Sequence, residues 1–289
     1  NTMRNLVLAI IINGGIVVFE IVFGLLIQSM ALISDAVHNL SDIAAMTFSY
    51  WAEKVSLRPA NERKTYGYRK IGFVAAFVNS IVLSVAIAFI LWEAVGRLKD
   101  PPPIAGQEML WVAVVAFVGN GAATLLLQKI SARNMNLKSV WLHSFQDALF
   151  SLGVIAGALF IMYFGWYIAD PLISIAIVIL ISREIYKIVR QTVDSLLDAV
   201  PQDIDFRAVR TDLLAIDMVV EVSDLHIWQT GGDQKLLSAH IRMAEVSSDA
   251  ESIVRTAQDI LLHKYGINHA TLQVLPASAG EMMHCNHCN

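Results

Sequence analysis

The sequence predicts an α-helical membrane protein: a six-transmembrane-helix bundle over roughly residues 1–195, then a small α+β domain over roughly residues 196–289. Three observations predict it. Apolar residues make up 56% of the 289-residue chain and charged residues 16%, against about 25% charged in an ordinary soluble domain. Six apolar stretches reach the ~20 residues that a bilayer core demands of a helix. Beyond about residue 200 the long apolar runs stop, and short amphipathic and alternating segments replace them.

The six stretches cover roughly 5–27, 29–53, 71–97, 107–131, 136–164 and 168–192. Punctuation falls between them: Gln28-Ser29 after the first, Pro101-Pro102-Pro103 after the third, and Gly165 with Asp170-Pro171 after the fifth. Positive charge orients the bundle, because Lys and Arg collect on the cytoplasmic side. Lys54, Arg58, Arg63, Lys64, Arg69 and Lys70 lie between spans two and three. Lys129, Arg133 and Lys138 lie between four and five, and Arg183, Lys187 and Arg190 close span six. The opposite turns offer only Arg97 and Lys99. Both termini are therefore expected in the cytoplasm, with the protein integral to an inner, plasma or vesicle membrane. No short apolar segment with a small-residue cleavage site opens the chain, so no removable signal peptide is expected. The absence of an initiator Met suggests trimming upstream.

The terminal domain reads α-β-β-α-β. Asp203 to Ile216 carries apolar residues near helical spacing, and Val219 to Trp228 and Lys235 to Met243 alternate like strands around Gly231-Gly232-Asp233. Ser248 to Tyr265 reads as a helix stopped by Gly266, and His269 to Leu275 as a third strand. A domain of about 75 residues is marginal for a lone core, which suggests pairing with a second copy. A net charge of −4, without a basic stripe, argues against nucleic acid as a partner.

Two spans carry one polar pattern. His38 precedes Asp42 by four residues in span two, and His143 precedes Asp147 by four in span five. Residues four apart share a helix face, and ionisable groups within lipid face a bundle interior and are usually functional. A lone membrane histidine often only bonds neighbouring helices, but the repeated pairing with a carboxylate points to ligands. Two imidazoles and two carboxylates make a tetrahedral set suited to Zn²⁺. Imidazole must be neutral and carboxylate ionised to bind metal, so zinc and protons compete for the site. That makes divalent metal ions and protons the expected partners, with lipid around the spans. Asp35, one turn before His38, is a candidate outer partner for a ligating imidazole or a polar group at the mouth of the site. Asn13, Glu20, Asn79, Glu93, Asn120 and Thr124 are the other polar groups within spans; Asn79 and Asn120 could line a water-filled approach, but interhelical hydrogen bonds account for them equally well.

The segment Ser34-Asp35-Ala36-Val37-His38-Asn39-Leu40-Ser41-Asp42 resembles the second-span signature of the cation diffusion facilitators, proton-coupled zinc transporters. His143 to Asp147 resembles their fifth-span partner, Lys64 to Lys70 their basic loop, and Asp224-Leu225-His226-Ile227-Trp228 the first strand of their cytoplasmic domain. The resemblance covers nearly the whole chain. It implies a homodimeric exporter, six spans per subunit, and a ferredoxin-like cytoplasmic domain that binds further zinc. Histidine in both pairs is similar to zinc-preferring members, although Cd, Co and Ni suit the same ligands.

The chain departs from relatives with several zinc sites. Its basic loop, Asn61 to Tyr68, has no histidine, so no zinc site is expected there. Gln273 and Leu275 stand where those relatives place a His and an Asp, which removes a binuclear pattern. The tail Met283-His284-Cys285-Asn286-His287-Cys288 offers a C-x-x-C instead, and in a cytosolic setting such thiolates read as metal ligands. By resemblance to vesicular zinc transporters, Cys285 and Cys288 would join His226, His240 and His269 in a regulatory site; a tail that binds metal only adventitiously is the alternative. An intramembrane zinc metalloenzyme is a rival, but no H-E-x-x-H occurs and no Glu stands beside either membrane histidine. A membrane-anchored zinc sensor would not need ionisable pairs in two spans. A passive channel would use weak oxygen rings rather than a chelate.

Overall fold

The computed structural model describes residues 2–131, 135–231, 234–244 and 250–276. Long apolar runs with few breakers become six helices: α1 (Thr2–Ile27), α2 (Met30–Ser56), α3 (Ile71–Arg97), α4 (Gly106–Ser131), α5 (Met135–Phe164) and α6 (Ala169–Leu196). The breaks fall at the predicted punctuation. Gln28, at φ 59°, turns the chain between α1 and α2, and Gly165, at φ 63°, ends α5. Among the described residues, Ile71–Arg97 and Asp147–Phe164 are long and apolar enough to cross a membrane by composition alone, with Ile11–Ile27 a shorter apolar helix. Helices α2 and α6 dilute their apolar content for visible reasons. Helix α2 carries Asp35, His38, Asn39 and Asp42, and α6 carries Arg183, Glu184, Lys187 and Arg190.

The chain divides into two compact units, residues 1–49 with 78–189, and residues 50–77 with 190–289. In the first, Leu32, Ile90, Met109, Val112, Val154 and Val178 are buried together, drawing α2 to α6 onto one core. Helix α4 packs against α5 and α1. The contact with α1 depends on Gly119, where a Cβ would lie 2.5 Å from Ile16 Cδ1, so the small-residue stretch here serves close packing. The outward face of α3 is apolar as well: Val82, Val85, Phe89 and Trp92 are 65% to 80% exposed. Such a surface suits hydrocarbon rather than water.

The second unit holds α7 (Phe206–Leu214), β1 (Val219–Gly231), β2 (Gln234–Met243), α8 (Ala250–Tyr265) and β3 (Ile267–Pro276), the predicted α-β-β-α-β order. Asp205 caps α7 by accepting from the Arg207 and Ala208 amides at 2.8 and 3.2 Å. The sheet order is β1-β2-β3, with β1 and β2 antiparallel and β2 and β3 parallel through the α8 crossover. Alternation along β2 sends Leu237, Ala239, Ile241 and Met243 into a core with Val209 and Leu213 of α7 and Ile253, Ala257 and Leu261 of α8. The opposite, helix-free face takes Ser238, His240 and Arg242.

The segment between α2 and α3 belongs to this second unit. Asn61 Oδ1 accepts from the Arg63 and Lys64 amides, the Lys64 ammonium sits 4.1 Å from the Tyr68 ring centre, and Lys70 Nζ donates to Asp198 Oδ1 at 2.6 Å. Gly231, at φ 133°, lets the backbone of Arg69 come close: a Cβ there would lie 2.3 Å from the Arg69 carbonyl oxygen.

Candidate metal centre

Helix geometry gathers part of the predicted ligand set. His38 and Asp42 share a face of α2, and Asp147 of α5 meets them. His38 Nε2 lies 3.8 Å from Asp42 Oδ2 and 3.4 Å from Asp147 Oδ1. One ligand atom from each residue falls within 4.8 Å of the others. His38 and Asp147 are buried, Asp42 is half-buried, and the Phe150 ring stands edge-on to the imidazole at 5.1 Å. Two carboxylates and an imidazole at this spacing could hold a borderline-soft dication. His143 lies one turn before Asp147 on α5, but its side chain lies outside the described residues.

The surrounding polar groups hold these helices in place. Asp170, buried at the start of α6, accepts from Ser29 Oγ at 2.5 Å, from the Met30 amide at 2.7 Å and from the Ala31 amide at 3.2 Å. It caps α2 from another helix and so fixes the end from which His38 is reached. At the same turn between α1 and α2, Arg97 donates to the Gln28 carbonyl at 2.5 Å and to Glu93. Ser34 Oγ and Ser174 Oγ meet at 2.6 Å, a second link between α2 and α6.

Asp35 accepts at Oδ2 from Ser151 Oγ of α5 at 3.1 Å, and Asn120 of α4 reaches the same hydroxyl at 3.3 Å. Asn39 donates to Glu20 Oε2 at 3.2 Å, which ties α2 to α1. Ser151 and Asp170 escape sequence reasoning, since a serine in a span and an aspartate at a turn carry no signal of their long-range partners.

In the second unit, Asp224 stands between two predicted ligands. Its Oδ1 lies 3.2 Å from His226 Nε2 and its Oδ2 3.7 Å from His240 Nε2. Register breaks between Ser223 and His226, and Asp224 adopts φ 50°. A β-bulge of this kind re-aims a side chain, and Asp tolerates the left-handed backbone. Sequence reasoning quoted Asp224 within a motif but did not assign it a role; its place two residues before His226 was the available signal. His269 does not join this group. It pairs in register with Leu236, whereas His240 pairs with Gln273, a separation of four residues or about 13 Å along the strands. Cys285 and Cys288 lie outside the described residues.

Charge pairs elsewhere in this unit are surface features. Lys264 Nζ and Tyr265 Oη each donate to Asp212 at 2.5 Å, and these hydrogen bonds hold the Asp212 carboxyl below its ordinary range. Lys235 pairs with Asp203 in the same way and lowers that carboxyl too.

Comparison with known proteins gives the family. Residues 6–197 match the family model of the cation efflux transmembrane domain, and residues 201–277 match that of the cation efflux protein cytoplasmic domain. Zinc transporter ZitB of Pectobacterium atrosepticum is 36% identical over 273 residues, 94% of this chain and 85% of the relative. The metal cation efflux system protein CzcD of Cupriavidus metallidurans is 32% identical over 270 residues, 93% of this chain and 85% of the relative. A cadmium, cobalt and zinc/H(+)-K(+) antiporter of Bacillus subtilis is 32% identical over 273 residues, 93% of this chain and 88% of the relative. A solved structure, the metal-bound C-terminal domain of the CzcD transporter, aligns with 25% of this chain and 99% of its own at 25% identity and a TM-score of 0.24. The chain belongs to the cation efflux family, the cation diffusion facilitators, and is a membrane transporter rather than an enzyme.

Proposed function

We propose that the protein is a proton-coupled antiporter that exports zinc from the cytoplasm, with Cd, Co and Ni as further cargo, through a site made of His38, Asp42, His143 and Asp147. One observation carries this reading: an imidazole and two carboxylates from α2 and α5 converge within 4.8 Å inside a bundle with an apolar outer surface. His143, one turn from Asp147, supplies the fourth ligand. The names of the relatives, zinc transporter and zinc/H(+)-K(+) antiporter, support the cargo and the exchange. The ligands themselves supply the coupling. Each must shed or lack its proton to bind metal, so zinc entry expels protons and proton entry expels zinc. Histidine titrates near neutrality when unperturbed, which puts the exchange within physiological pH. A site open to each side in turn then lets an inward proton gradient drive zinc outward.

Helices α1 to α6 hold 26 to 30 residues, or about 39–45 Å at 1.5 Å per residue. All six are long enough for a ~30 Å hydrocarbon core. Six spans with Lys and Arg on one side leave both termini in the cytoplasm. In the terminal domain, read as ferredoxin-like, His226, His240 and Asp224 suit zinc by donor type, and Cys285 and Cys288 of the tail would complete a regulatory site. His269 stands too far along the sheet to share it. Two such small domains pairing would make the working unit a homodimer. A membrane-anchored sensor would leave the α2–α5 cluster without a use, and an intramembrane metalloenzyme would need a general base beside it. Zinc uptake into liposomes by His143→Ala and Asp147→Ala variants tests the site. Loss of uptake is expected, and uptake at the parent rate would remove these residues from the path.

A further inference from the structure

Two carboxylates lie in the bundle that the metal site does not use. Glu20 of α1 and Asp35 of α2 are both fully buried. Each has one oxygen engaged: Glu20 Oε2 accepts from Asn39, and Asp35 Oδ2 accepts from Ser151. Their other oxygens, Glu20 Oε1 and Asp35 Oδ1, have no hydrogen-bond partner, yet the two carboxyl groups are within hydrogen-bonding reach of each other. Among the described residues no Lys or Arg pairs with either. Among the described residues the ionisable groups facing them are Asp147 of α5 and His38 of α2, and the neutral Asn120 of α4 reaches Ser151.

Two acceptor oxygens cannot bond without a hydrogen between them. Two bare carboxylates side by side, buried and without a cation, would repel at low dielectric. A single proton removes both problems at once, and the pair then titrates as a unit. The link to the metal site is short. Ser151 has one hydroxyl hydrogen, and both Asp35 Oδ2 and the Asp147 carbonyl lie within its reach, at 3.1 and 3.2 Å. A dication bound beside Asp147 would also favour the ionised pair by charge alone.

We propose that Glu20 and Asp35 form a shared-proton pair, separate from the metal ligands, that gives up one proton when the metal binds and recovers it when the metal leaves. The proposal rests on the antiport reading above. In the step, one carboxyl O–H bond breaks and its electron pair stays on oxygen. The proton passes to water on the side to which the site is open. The pair changes from one negative charge to two, offset by the bound dication.

The test is calorimetry of zinc binding to the full-length protein in buffers of different ionisation enthalpy, which counts protons released per zinc. Glu20→Gln should bind zinc and release about one proton fewer than the parent, and Glu20→Asp should restore the count. Infrared difference spectra of the parent, with and without zinc, should show a protonated carboxyl band lost on binding. That measurement needs no variant, so the absence of such a band overturns the pair even if Glu20→Gln does not fold. Parent-like proton release by Glu20→Gln, or no carboxyl band change in the parent, would overturn the pair and leave antiport standing. No proton release by the parent would overturn antiport itself.

Discussion

Replacing Asp170 by alanine should loosen α2 from its first turn. The carboxylate accepts from a hydroxyl and two amides at the start of that helix, all buried. Ser29 can turn its hydroxyl elsewhere, but the Met30 and Ala31 amides would be left without acceptors. A buried donor left unmade costs about 1–3 kcal/mol, and loss of an N-cap alone costs about 0.5–2 kcal/mol. The two figures describe overlapping losses, so about 3 kcal/mol is a fair expectation, or on the order of 6–12 °C in melting temperature for a bundle of this size. Function should fall with it, because His38 lies eight residues beyond Met30, about 12 Å along the same rigid helix. Asp170→Asn keeps one carbonyl acceptor and should recover part of the loss. The assay is thermal unfolding of the purified protein in detergent, paired with zinc titration at fixed pH. An alanine variant that melts with the parent would refute the claim that this residue anchors α2.

Three further outcomes follow from the second unit. Asp224→Ala removes the carboxylate between His226 and His240 and should weaken zinc binding by the cytoplasmic domain about 10- to 100-fold. Transport-site affinity should hold, and equal affinities at both sites in parent and variant would show Asp224 to be idle. Gly231→Ala forces a side chain into a φ of 133° against the Arg69 carbonyl; a cost of about 1–3 kcal/mol is expected, read as faster proteolysis within residues 58–70. Asp212→Asn should lower the melting temperature at neutral pH. Its native carboxyl is held below the ordinary value by hydrogen bonds from Lys264 and Tyr265, so its contribution is complete above the unfolded value near pH ~4. It is lost as acid takes the pH down through the lowered native value, and the gap between parent and variant should close there. A gap that stays constant into strong acid would assign the effect to something other than ionisation.

Local periodicity made much of this molecule legible. Helical spacing alone pairs His38 with Asp42, because the α-helix fixes which residues share a face, and the two side chains meet at 3.8 Å. The strand pattern of Lys235 to Met243 likewise gave the face on which His240 lies. What periodicity cannot supply is rotation and register between elements. Glu20 and Asp35 meet only because α1 and α2 turn those faces together. Asp170 caps a helix 140 residues earlier in the chain, and a turn aspartate gives no hint of that partner. His269 shares the helix-free face with His240, but parallel pairing sets it opposite Leu236, out of reach. Asp224 owes its position to a bulge, which no alternation pattern announces.

The central claim is that metal and protons exchange at the α2–α5 cluster. Liposomes with the protein's cytoplasmic face outward, an acidic lumen and external zinc test it most directly, with zinc and proton fluxes followed together. The account predicts that the gradient accelerates zinc entry, that protons leave as zinc enters, and that Asp147→Ala abolishes both. Zinc entry at the same rate with and without the gradient, and no accompanying proton movement, would contradict it.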